Sequence, residues 1–459
     1  MCHRPKSRNL SITIVPKGLR NLRFSFHEPH LTHFGGMVLI KRFCNQLSLR
    51  RRLQRQVPIP GRVGNYHPSD LILALLYSLI AGLSRINQTQ ILQYNGTFLS
   101  LLGLQQFPDQ STLRRFLQRL PTHSVRRLVQ LHDHLRQELF VLPRAPTTLI
   151  FDLDSVVLTL YGQQQGARIG YNPKKRGRRS YHPLLCFEAH RQEFWHGSLR
   201  PGDAAANTGV VPFLQRCLDK VPSHIARSRI RVRADAGFFS GKLIGFLDKM
   251  GLGYVVVVRL YPGYRKKICG LKYEKLSWGA EVSEFQHRPQ HWKAEHRFVV
   301  IRRPIPEDPL EANQLTLFKD QRYVYTLLVT NLDLEPWRVW TFYRPRAIVE
   351  KDIRELLYDL PLGKIPSADW VANVAFFQTV LLAFNLVHWF KRLCLPTAWA
   401  KTTVETVRAD FLRLPARLVR QAQTNILQLP KGYHYEKEFL RAAKAAENLR
   451  LPQKNRFCK

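Results

Sequence analysis

Acid is what this 459-residue chain has little of: 33 Asp and Glu stand against 71 Lys and Arg, for a formal net charge of +38. Such a field repels itself unless a polyanion takes it up, so nucleic acid is the expected partner, ahead of an anionic membrane. Cysteine is sparse as well. The seven residues at 2, 44, 186, 217, 269, 394 and 458 form no CxxC and no regular framework. That excludes a disulfide scaffold and suits reduced thiols in a cytosolic compartment. No signal-peptide core follows the basic start "MCHRPKSRNL", which leaves the sequons at Asn87 and Asn95 without meaning. Long apolar runs number two. The run 71–83 is too short to span a bilayer, and 371–390 carries Asn373, Gln378, Asn385 and His388, which favours a buried helix. The chain therefore reads as soluble. At 45% apolar and 23% charged residues it is predicted to be globular, with two or three domains and no internal repeat.

What is present falls into blocks. Residues 1–20 read as a basic leader, and 21–145 as a helical N-terminal domain. In the latter, Asp70 caps a predicted helix ended by Gly82. In "DQSTLRRFLQRL", Leu113, Phe116, Leu117 and Leu120 recur at helical spacing, with Arg114, Arg115 and Arg119 largely off that stripe. This segment and the helix after Pro121 are either a DNA-reading pair or an ordinary solvated hairpin. From 146 to 258 strands are predicted at 148–160, 182–189, 193–200 and 230–235, then helix 241–250 and strand "GYVVVVRL". Block 259–340 is β-rich and reads as an insertion. Helices are expected at 343–359 and 369–393, and a basic region fills 394–459. The class is α/β, a mixed sheet with flanking helices.

Three sets of residues carry candidate chemistry. In "LIFDLDSVVL", Asp152 and Asp154 share one face of a strand, and burying two like charges needs a cation, a proton or hydrogen bonds. Asp235 stands where a strand gives way to "AGFFSG", a place where α/β sheets put reactive groups. Tyr343, Arg346 and Glu350, three and four apart, stack on one helical face. Each has a bland alternative: a capping acid, a turn former, a solvated helix. Together, carboxylates converging from three elements suit two Mg²⁺ (or Mn²⁺) ions, which activate an attacking oxygen and stabilise a leaving one in phosphoryl transfer.

The combination resembles the DDE transposases of bacterial insertion sequences, in the branch with a Tyr-x2-Arg-x3-Glu-x6-Lys motif. "LDSVV" and "RADAGFFS" look like its two Asp strands, and "YNPKKRGRRSYHPLL" and "LRPGDA" like text of one subgroup. The resemblance implies an RNase H-like core interrupted by a β-rich insertion before the catalytic Glu. It implies Asp154, Asp235 and Glu350 as metal ligands, with Asp152 as an alternate ligand or a hydrogen-bonded partner behind them. Tyr343 and Arg346 would contact phosphate. It further implies cutting and joining of double-stranded DNA at transposon ends, a homodimer on DNA, and a bacterial, nucleoid-associated site of action. One position departs: the motif Lys is Leu357 here. Either Lys351 or Arg354 takes over its phosphate contact, or activity is weakened.

Lys174, Lys175, Arg176, Arg178 and Arg179 lie in a stretch, 161–187, that holds no acid. Next to the Asp154 strand they are expected to clamp phosphates, although "PKKRGRR" also reads as a nuclear-import signal. Trp292 is a candidate for base stacking or for a buried sheet position. Two rivals stay open: a decayed, DNA-binding transposase, and a haloacid-dehalogenase-like phosphatase with Asp152 as nucleophile.

Overall fold

The computed structural model describes residues 27–59, 66–305 and 323–452. The leader 1–20 lies outside the described residues. A short strand, β1 (Leu31–Thr32), precedes helices Met37–Gln46, Leu49–Gln56, Pro68–Ala81, Gly96–Leu102, Gln110–Arg119 and Thr122–Phe140. The helix expected to follow a cap at Asp70 starts three residues earlier, at Pro68. His67 accepts the cap bond from Ser69 N, Pro68 presets the first turn, and Asp70 sits in the positively polarised first turn instead. Its end is as expected, with Gly82 at φ +97°. Asp109 caps Gln110–Arg119, whose Leu113, Phe116 and Leu117 are buried while Arg114, Arg115 and Arg119 are exposed.

Strands follow: β2 (Leu149–Ser155), β3 (Leu158–Thr159), β4 (Arg168–Ile169), β5 (Arg179–Tyr181), β6 (Leu184–Glu188) and β7 (Glu193–Ser198). After helix Val210–Leu218 come β8 (Ile230–Ala234), helix Gly241–Lys249 and β9 (Gly253–Val258), then β10 (Glu274–Lys275), β11 (Glu281–His287), β12 (His296–Pro304) and β13 (Tyr323–Thr330). The strand expected over 148–160 is thus two strands in different sheets. Nine strands form one sheet in the order β10-β11-β12-β13-β9-β8-β2-β6-β7, with β2, β8 and β9 parallel and their outer neighbours antiparallel. The β-rich segment therefore continues the central sheet: β13 pairs with β9. β3, β5 and β4 make a small sheet emerging between β2 and β6.

The helix expected at 343–359 begins earlier, at Pro336, and is composite: Pro336–Tyr343, a tight turn Arg344–Arg346, Ala347–Arg354, then a π-helical turn Glu355–Asp359. Helix Trp370–Cys394 is long and apolar enough to cross a membrane, yet 83% of its most apolar window is buried inside the protein. It packs against the N-terminal helices and the later helix Glu436–Asn448 in one shared core. β1 pairs with β14 (Ala416–Gln421), which pairs with β15 (Thr424–Gln428), joining the two ends of the described chain.

The polar residues of this helix have structural work. β7 is the sheet's edge, and an edge leaves backbone groups unpaired. Asn385, fully buried, accepts from Phe194 N (2.9 Å) and donates to Phe194 O (2.8 Å), while Gln378 donates to Gly197 O (3.1 Å). Asn385→Ala strands both Phe194 groups, so unfolding in urea is expected to show a loss of about 2–3 kcal/mol.

Candidate active site

The parallel register of β2 and β8 aligns Asp152 with Arg233 and Leu153 with Ala234. β8 ends at Ala234, so Asp154 is the next residue along β2 and Asp235 the first residue past the end of β8. Period-two alternation gives this face of the two central strands Asp152, Asp154 and Arg233, with Asp235 just past the end of β8. Their opposite faces, Leu153, Val232 and Ala234 among them, bury in the apolar core.

The two acids of β2 differ in what they touch. Asp152 is fully buried and held by a two-pronged bond: Arg233 Nε donates to Oδ1 and Nη2 to Oδ2, both at 2.6 Å. The third arm of Arg233, Nη1, donates to Phe342 O at 2.7 Å, tying the pair to the covering helix. Burial pushes the Asp152 carboxyl up, against the pull of Arg233. With both oxygens engaged, Asp152 serves as a strut.

Asp154 is 9% exposed. Its Oδ1 accepts from Ser155 N at 2.7 Å, and its Oδ2 faces Arg346 Nη2 at 3.1 Å. Burial raises this carboxyl to about 6; Arg346 draws it down, and the charges of Asp235 and Glu350 push it up. Those two contributions place Asp154 within the field of both other acids. Asp235 is half-buried, its Oδ1 accepting from Gly237 N at 2.9 Å. Glu350 is exposed in the first turn of Ala347–Arg354.

Arg346, 5% exposed, also donates from Nη2 to Leu153 O at 2.8 Å, and its Nε–H is buried without a hydrogen-bond partner. Tyr343 is half-buried beside Arg346 and within the field of Asp235; burial raises its phenol. Leu357, at the motif's Lys position, packs against the helical core from the π-helical turn. Of its candidate substitutes, Lys351 donates its ammonium to Lys401 O, and Arg354 is exposed.

A further pair escaped sequence reasoning. His182, 4% exposed, donates Nδ1–H to Ala204 O at 2.6 Å; burial lowers its pKa and keeps the ring neutral. Its Nε2 then accepts from Ser155 Oγ at 3.1 Å, fixing the residue whose N–H holds Asp154. The only signal was its place in the "YHPLL" text.

The segment after Asp154 carries the basic hairpin β4–β5. Asn172 anchors it, donating to Thr159 Oγ1 (3.0 Å) and accepting from Lys175 N (3.0 Å). Lys174, Lys175, Arg176, Arg178 and Arg179 are all exposed around Gly177, at φ +73°. Trp292 is half-buried, its ring 5.4 Å from Phe239 and 5.0 Å from His296, and close enough to Gly241 that a Cβ there would come within 2.9 Å of it.

Among the described residues no group of three or more His, Cys, Asp or Glu side chains is gathered to hold a metal ion. The donor chemistry nonetheless fits a hard divalent cation: Asp154 and Asp235 offer carboxylate oxygens at the same end of neighbouring parallel strands, and the buried Asp154 needs positive charge. Glu350 contributes charge from further out.

A family model described as "Transposase DDE domain group 1" matches residues 15–451. Comparison with curated proteins finds no match. Among solved structures, the chain is similar to one described as a cryo-EM structure of a piggyBac transposase synaptic complex with hairpin DNA. The identity is 12%, over 82% of this chain and 85% of that one, at a TM-score of 0.40. With nearly its whole length matched by the family model, the chain belongs to the DDE transposases, in the transposase DDE domain group 1 family.

Proposed function

We propose that the protein binds the terminal inverted repeats of a bacterial insertion sequence and performs metal-dependent DNA strand cleavage and strand transfer. Strands β2, β6, β7, β8 and β9 with their helices are read as its RNase H-like core. The observation that carries the proposal is the placing of Asp154 on β2 and Asp235 just past the end of its parallel neighbour β8, with Arg346 on Asp154 and both Asp235 and Glu350 near enough to act on its carboxyl. Asp154 and Asp235 would hold the cations and Glu350 would complete the set. Bound Mg²⁺ or Mn²⁺ would supply activation of the attacking oxygen, of water and then of a 3′ hydroxyl, and stabilise the leaving one.

The chain's own groups do the rest. Arg346 screens Asp154 before DNA arrives, and its unpartnered Nε–H is the donor left for the scissile phosphate. Tyr343 lies beside it. The exposed cations of the 174–179 hairpin, with Arg354, hold the flanking backbone, which makes binding steeply salt-dependent. Pairing two ends calls for two protomers, acting in the bacterial cytoplasm. The phosphatase reading loses support at Asp152, which is fully buried and gripped through both oxygens by Arg233, out of a substrate's reach.

The test is Mg²⁺-dependent nicking and joining of inverted-repeat oligonucleotides by Asp154→Asn, Asp235→Asn and Glu350→Gln. Each is expected to lose at least about 10³-fold in rate with DNA binding retained. Activity surviving at Asp235→Asn would sink the proposal; a wild-type chain that binds the ends without cutting them favours the decayed transposase.

A further inference from the structure

The helical stretch that carries Glu350 is gripped along one side by a C-terminal segment that the chemistry above does not use. The segment runs from Lys401 through a short helix, Val404–Val407, into a second π-helical turn, Arg408–Leu412. Lys351, Glu355 and Asp359 recur four apart, so they share one side of the composite helix, and each bonds to this segment. Lys351 donates its ammonium to Lys401 O. Glu355 Oε2 accepts from Val404 N at 3.1 Å, and Asp359 Oδ2 accepts from Glu405 N at 3.0 Å. Those are the first two N–H groups of the short helix, which have no partner within it.

Two buried side chains hold this grip. Glu355 Oε2 also takes a bond from His388 Nε2 at 3.3 Å. Burial pushes His388 down to about 4 and keeps its ring neutral. Burial would raise the Glu355 carboxyl, but the bonds from His388 and Val404 N, with Lys391 nearby, hold it below its usual value. Arg408, the second, donates from Nη2 to Asp359 O at 3.0 Å, where the π-helical turn ends. It also donates from Nε to Ile80 O at 2.7 Å and from Nη2 to Leu79 O at 3.2 Å, in the last turn of helix Pro68–Ala81. One guanidinium thus caps the C-terminal carbonyls of two helices, an end where the helix dipole favours a cation. Upstream, Arg233 and Arg346 tie the same stretch to the sheet through Phe342 O and Leu153 O. Glu350 stands exposed between the two anchorages.

We infer that Glu355 and Arg408 are positioning residues for Glu350: acting through the π-helical turn, they set where it stands relative to Asp154 and Asp235. Their work is on the backbone of the helix, not on metal or DNA. The inference rests on the DNA-transposase reading and adds to it a physical link from the N-terminal helices to the third acid.

The test titrates Mg²⁺ into the full-length protein and reads two things: nicking of an inverted-repeat duplex, and the rise in melting temperature that the cation gives. Glu355→Ala is expected to lower kcat about 10-fold to 100-fold and to need about tenfold more Mg²⁺ in both readouts, while KM for DNA moves under about twofold. Glu355→Gln keeps an oxygen that accepts from Val404 N, and is expected to return within about threefold of wild type. Arg408→Lys keeps the charge but loses the fork that reaches both helices, and should shift the Mg²⁺ requirement in the same direction. Asn385→Ala, destabilising at the far edge of the sheet, is the control: it should leave the Mg²⁺ requirement of the folded protein unmoved. If Glu355→Ala keeps the wild-type Mg²⁺ requirement, or Glu355→Gln does no better than Glu355→Ala, positioning is overturned while the transposase reading stands. If wild type nicks at no Mg²⁺ concentration, that reading fails and takes this inference with it.

Discussion

Asp154→Asn is expected to give a more stable protein that no longer cuts DNA. The Asp154 carboxyl is raised to about 6, chiefly by burial, above its ordinary value of 3.8. Between those values the folded chain binds more protons than the unfolded one, so stability falls as pH rises through that window. Above about pH 6 the whole penalty of an ionised, buried carboxylate is present. Two pH units correspond to about 2–3 kcal/mol. A neutral Asn escapes that penalty, so urea unfolding at pH 7.5 should show a gain of about that size, shrinking towards zero near pH 4. Adding Mg²⁺ should stabilise wild type and not the variant, because a cation that binds only the folded state shifts unfolding by mass action. A variant that is destabilised at pH 7.5 would mean that Asp154 is a structural acid, well satisfied by Arg346 and Ser155.

Arg233→Met is expected to be the more damaging change to the fold, by about 3–5 kcal/mol. It leaves the Asp152 charge buried alone and removes the donor to Phe342 O. The double variant Asp152→Leu/Arg233→Met removes both charges and is expected to recover most of that loss, since a buried ion pair and an apolar pair of similar volume often differ little. Denaturant curves of the two single variants and the double variant give the coupling directly. If the double is no better than Arg233→Met alone, Asp152 does something beyond pairing with Arg233.

The contrast between these acids also shows what was legible beforehand. Asp152 and Asp154 shared a face by strand alternation, and Asp235 at a strand end was readable from "RIRVRADAGFF". Arg233 was within reach of the same reasoning: it stands two before Asp235, so it lies on that face. The alternating apolar residues Ile230, Val232 and Ala234 mark the strand's other face. The start of the covering helix at Pro336 was hidden by Trp340 and Phe342, residue types that favour strands but that pack onto the sheet from a helix here. The union of the N-terminal helices, Trp370–Cys394 and the C-terminal region in one core rests on contacts hundreds of residues apart. Local periodicity holds no record of those. Nor does it show that β13 pairs with β9, which makes the β-rich segment part of the central sheet. Leu357 is similar: only the π-helical turn reveals that this position packs, half-buried, against the helical core.

The central claim is that Asp154 and Asp235 bind the metal directly while Asp152 holds the scaffold. Cysteine at a ligand position answers it, because a thiolate is softer than a carboxylate and is a poor partner for Mg²⁺. Asp154→Cys and Asp235→Cys are to be assayed for nicking of inverted-repeat DNA in Mg²⁺ and in Mn²⁺. The account predicts activity lost in Mg²⁺ and substantially restored in Mn²⁺ for both variants. Equal loss in the two metals at Asp154→Cys would contradict it.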